Sequence, residues 1–79
     1  MNNNYTPYEI KLANEIANAL KDRDSIGLHL KYARKYKEEY LRKTLAKVMA
    51  IDESKITSSR AAIYVSIIQR GESDGNPRY

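Results

Sequence analysis

Between Lys31 and Lys47 the chain reads KYARKYKEEYLRKTLAK, with basic residues alternating with Tyr32, Tyr36 and Tyr40. Lys31, Arg34, Lys35, Lys37, Arg42, Lys43 and Lys47 supply the positive charge, and only Glu38 and Glu39 oppose them. Ammonium and guanidinium groups neutralise phosphates and release the counterions condensed on a nucleic acid. Aromatic rings set among such cations stack on exposed bases. The combination makes nucleic acid, DNA in the first instance, the expected ligand, with these ten tyrosine and basic residues as its contacts. Arg60, just behind Ser58 and Ser59, adds a phosphate contact where the backbone N–H groups of a later helix begin. The competing reading is structural: lysines and arginines solvate helix faces, and tyrosines four residues apart pack against one another.

Other chemistries lack their parts. His29 is the single histidine, flanked by Leu28 and Leu30, and reads as a packed side chain rather than a general base. A nucleophilic serine or threonine needs a base and an orienting group, and one histidine with no cysteine suggests no such set. Asp22 and Asp24 are spaced like the start of a calcium loop, but Gly27 and a distal glutamate do not follow at the required positions. The three glycines are scattered, so no phosphate-cradling loop is encoded. No enzymatic activity, metal or cofactor is expected.

The chain has 79 residues and a net charge of +4. That excess lies entirely between Lys31 and Lys47, because the remainder carries one more acidic than basic residue. This length encloses one core, and without cysteine the fold rests on helix packing or on association. All seven aromatic residues are tyrosines, which suit half-buried positions where the ring packs and the hydroxyl stays wet. No apolar run reaches the roughly 18 residues of a membrane span. The opening MNNNYTPYE has neither a basic region nor an apolar stretch, so no secretory signal is read and a cytoplasmic location is expected.

Four short helices must position these groups. Thr6-Pro7-Tyr8-Glu9 reads as a capping box with proline at the first helical position, ahead of the apolar face Leu12, Ala13, Ile16, Ala19 and Leu20. The first helix is expected over about 7–21. From Ser25 to Ala50 one helix would be about 36 Å long, too long for a domain about 30 Å across. A break near Tyr36-Lys37 therefore divides it into helices over about 25–35 and 38–50, with Glu38 and Glu39 in a first turn that favours negative charge. Residues 51–58 read as a connection with room for a short helical turn. The last helix is expected over about 59–70, stopped by Gly71 in a left-handed conformation, and, being richest in apolar residues, at the centre of the domain. The fold class is thus all-α, one compact domain over 6–71, with disorder expected at 1–5 and 72–79.

Arg42 to Ala61 resembles the helix-turn-helix motif of DNA-binding proteins. Leu45, Ala46 and Met49 would pack from the first helix, Ala50 would take the turn, and Ile56 would anchor the second helix. The resemblance implies that Glu53, Ser54, Lys55 and Ser58 face the major groove, with Arg60 nearer the backbone. It departs from the motif at Ser59, where an apolar anchor is usual, and at Ala50, where glycine is usual. The alternative for the same stretch is two packed helices joined by an irregular loop. For the whole chain, the alternative to nucleic-acid binding is a module that docks a protein partner or forms a homodimer, with Tyr40, Ile63, Tyr64 and Ile67 as its apolar face.

Overall fold

The computed structural model describes residues 4–73. Thr6 opens α1 (Pro7–Ala19): its hydroxyl accepts from the Glu9 amide at 3.1 Å, and the Glu9 carboxylate accepts from the Thr6 amide at 2.9 Å. The expected capping box thus forms with Pro7 just inside it. The helix stops two residues earlier than expected because Lys21 turns left-handed, with φ of 55°. The Lys21 and Asp22 amides fold back onto the Asn18 and Ala17 carbonyls, a closure normally given to glycine. Lysine adopts it at a cost of about 1 kcal/mol.

A single 3-10 turn, Arg23–Ser25, leads into α2 (Ile26–Lys35). The backbone then extends through Tyr36 and Lys37, with ψ of 158° and 143°, before α3 (Glu38–Met49) begins. The expected break is therefore present. It lets Tyr36 turn fully inward while Lys37 stays exposed. After α3 the connection contains one 3-10 turn, Glu53–Lys55, where the Asp52 carboxylate accepts from the Ser54 amide. Ser59 caps α4 (Arg60–Ser73), its hydroxyl accepting from the Ala62 amide at 3.0 Å. The described residues hold these four α-helices and no strand.

The core joins all four helices around Leu12, Ile16, Tyr36, Leu41, Tyr64 and Ile68, each essentially inaccessible to solvent. Its most extensive packing is between α1 and α2, and α4 rests chiefly against α3. This corrects the expectation that α4 lies at the centre. Its apolar residues run all round the helix, so Ala61, Ile63, Val65 and Ile67 remain only half-buried against one main neighbour. One-sidedness places a helix in a core, and richness alone does not.

The ends also differ from expectation. α4 runs through Gly71 to Ser73, so residues 72–73 are helical rather than part of a disordered tail. At the other end Asn4 and Tyr5, expected to be disordered, meet Arg34. Residues 1–3 and 74–79 lie outside the described residues, and the expectations of disorder there with them. Gly71 serves close approach, because a Cβ at this position would overlap the Tyr40 Oη and Cζ atoms. Gly71→Ala is expected to destabilise the fold by about 1–3 kcal/mol through that overlap. Urea unfolding checks it; a gain of about 1 kcal/mol, as helix propensity alone would give, would contradict the packing.

Candidate nucleic-acid interface

The basic residues of α2 and α3 divide by chemistry. On α2, Arg34 leans toward α1: Nη2 and Nε donate to the Glu9 carboxylate at 2.9 and 3.3 Å. The same Nη2 donates to the Asn4 carbonyl at 2.7 Å, and the guanidinium lies 4.5 Å from the centre of the Tyr5 ring. On α3, Arg42 donates from Nε to Glu38 at 2.6 Å and from Nη2 to Glu15 of α1 at 2.7 Å. Tyr8 donates its hydroxyl to the same Glu38. The two arginines therefore fasten α2 and α3 to α1.

The carboxylates register this pairing. The Arg34 guanidinium, and after it the Thr6 amide, holds Glu9 below the ordinary glutamate value of 4.5. Glu38 is lowered too, first by the Tyr8 hydroxyl and then by Arg42, while Glu38 and Glu15 raise the pKa of Arg42.

The lysines occupy other flanks. With 3.6 residues per turn, Lys31 and Lys35 lie on the face of α2 between Arg34 and Tyr32, and Lys43 and Lys47 on the side of α3 that carries Tyr40. Both tyrosines reach toward α4. The Tyr32 hydroxyl accepts from Gln69 Nε2 at 3.4 Å, and the Tyr40 hydroxyl donates to the Ile67 and Ile68 carbonyls at 3.3 Å. Lys31, Lys37, Lys43 and Lys47 are exposed and make no ion pair among the described residues. Lys35 is half-buried, with its Nζ 5.6 Å from the centre of the Tyr36 ring.

The tyrosines do not meet the expectation of base stacking. Tyr32 is 5% exposed and Tyr36 0%. Tyr36 lies between Tyr32 and Tyr40, with ring centres 5.4 and 5.6 Å away, so the three form an internal ladder. The break at Tyr36-Lys37 brings the rings of α2 and α3 together, and the middle ring is enclosed by protein.

Arg60 is likewise turned inward. Its Nη1 donates to the Val48 carbonyl at 2.7 Å and the Ile51 carbonyl at 3.1 Å, at the C-terminal end of α3. The resemblance to a helix-turn-helix fails in the same region. A recognition helix would have to occupy about 51–61, and the chain there has one 3-10 turn with Ile56 in an extended conformation. Ala50 is right-handed, with φ of −84°. Polar residues at 52–55 and Thr57-Ser58-Ser59 cap and turn instead of propagating a helix.

His29 is in the core, with Nε2 donating to the Asp22 carboxylate at 3.0 Å and its ring 5.9 Å from that of Tyr64. Burial pushes the Tyr64 hydroxyl up, which keeps it protonated. Among the described residues no three His, Cys, Asp or Glu side chains gather as a metal site would require. No helix among the described residues is long and apolar enough to cross a membrane. Of the apolar face expected for protein docking, Tyr64 is buried, and Tyr40, Ile63 and Ile67 are half-buried. The large apolar residues that are exposed are Tyr8, Ile10 and Met49. Sequence reasoning missed Glu9 and Glu15 as the groups that neutralise the central arginines, and Arg70, which is exposed on α4. Comparison with protein-family models, with curated proteins and with solved structures finds no match to the chain.

The Glu9 and Glu38 shifts fix the sign of an acid response. A carboxylate whose pKa is lower in the folded state stabilises the fold above its unfolded value and loses that contribution as pH falls through the folded value. Stability is therefore expected to decline as the pH drops below the ordinary value of 4.5, and Glu9→Gln should flatten part of the decline. Urea midpoints of both proteins from neutral pH to about pH 3 check this. Parallel curves would show that Glu9 carries none of the acid response.

Proposed function

We propose that the chain is a small nucleic-acid-binding accessory or regulatory domain that holds phosphates with the lysines of α2 and α3. The observation that carries this reading is the division of cations: Arg34 and Arg42 are tied to α1, whereas Lys31, Lys37, Lys43 and Lys47 stay exposed without carboxylate partners among the described residues. A segment with an excess of five positive charges thus keeps its mobile, strongly hydrated cations outward, the form in which they replace condensed counterions. Lys35, though half-buried, adds to the field on the same flank of α2. Neither the tyrosines nor Arg60 takes part.

Each neutralised phosphate of duplex DNA contributes about −0.9 to the slope of log K against log salt, so the four lysines predict about −3.6. Lys43→Glu combined with Lys47→Glu should remove about half of that slope and weaken binding at least about tenfold near 50 mM salt. Lys55→Glu, in the connection before α4, should leave binding nearly unchanged. Fluorescence anisotropy with labelled oligonucleotides measures all three, and circular dichroism confirms that the variants are folded. Absence of binding at low salt, or equal loss in both charge reversals, would overturn the reading.

A further inference from the structure

Most of the arginine forks that could read bases are occupied within this fold, Arg70 on α4 standing exposed. Sequence readout in the major groove uses bidentate contacts, most often arginine or lysine to guanine and asparagine or glutamine to adenine. Four of the five described arginines spend their guanidinium on the protein itself: Arg23 donates to Asn14 and Asn18, Arg34 to Glu9, Arg42 to Glu38 and Glu15, and Arg60 to backbone carbonyls. Asn14 also donates its amide to the Ile10 carbonyl, and Gln69 donates to Tyr32. Single-strand recognition needs aromatic platforms. Tyr32 and Tyr36 are closed off in the core, and Tyr40 is packed beneath Gly71 with its hydroxyl on α4 carbonyls.

What remains outward on α2 and α3 is point charge. Lysine ammonium groups hold phosphates as compact, hydrated charges on flexible stems and lack the rigid fork of arginine. Met49, an exposed apolar side chain that could enter a lipid surface, falls on the Arg42 side of α3, away from Lys43 and Lys47.

We infer that the partner is a double-stranded nucleic acid gripped through its phosphates alone, with no stacking on bases and no reading of their order. This rests on the proposed function above and sharpens it. A duplex presents two closely spaced rows of phosphates with its bases already stacked, so it asks only for the charge this surface offers.

Anisotropy titrations near 50 mM salt with two unrelated 20-base-pair DNA duplexes, an RNA duplex of the same length, a 20-base single strand and phosphatidylserine-containing vesicles test it. The two DNA duplexes should bind within about twofold of each other, because phosphate contacts carry no sequence information. At least one duplex type should bind about fivefold or more tightly than the single strand, whose lower charge density releases fewer counterions per contact. Whether the DNA duplexes or the RNA duplex bind better identifies the source of the phosphates. Preference for the single strand, or discrimination beyond about tenfold between the DNA sequences, would overturn the inference while leaving nucleic-acid binding standing. Binding to vesicles alone, or to nothing, would remove both.

Discussion

The Glu9 carboxylate accepts hydrogen bonds from the Thr6 amide and from two nitrogens of Arg34, so one side chain closes the start of α1 and ties it to the end of α2. Arg42 repeats the device from α3, joining Glu15 of α1 to Glu38 of its own first turn. Bonds between guanidinium and carboxylate are stronger and more directional than those between neutral groups. They also neutralise two of the seven cations of the middle helices. The arginine ties thus settle both how α2 and α3 sit against α1 and which flanks stay positive.

The tyrosine ladder follows from the same arrangement. The break at Tyr36-Lys37 turns Tyr36 fully inward, and Tyr32 and Tyr40 close on it from α2 and α3. Both outer tyrosines then touch α4, and Tyr40 does so closely enough that Gly71 has to be a glycine. In a chain without phenylalanine or tryptophan, tyrosine rings supply much of the bulk of the core. The Tyr32 and Tyr40 hydroxyls meet a side chain and backbone carbonyls of α4.

Helix ends were legible where a cap or break is encoded by neighbouring residues: Thr6 to Glu9 and the Tyr36-Lys37 break act where expected. Reasoning from one residue type to one conformation went wrong at Lys21 and Gly71. Lysine took the left-handed turn, and glycine stayed helical because a ring from α3 lies over it. The candidate site was half legible. Charge counting found the lysines, but period alone could not distinguish Arg34 and Arg42, whose partners stand 25 and 27 residues away on α1. Alternation of lysine and tyrosine looked like a stacking surface and is the outer and inner face of the same two helices. The resemblance to a helix-turn-helix dissolved because polar cap residues between Asp52 and Ser59 leave room for only one 3-10 turn.

Under the proposed function the lysines, and not the more numerous charged groups around them, form the contact. Acetylation of lysine amines with and without a saturating duplex, read out by mass spectrometry at each residue, addresses that directly. Lys31, Lys37, Lys43 and Lys47 should become protected together, while Lys11, Lys21 and Lys55 keep their reactivity. Uniform reactivity at the first four, or protection centred on Lys21 and Lys55, would mean that the flanks of α2 and α3 are ordinary solvated surface.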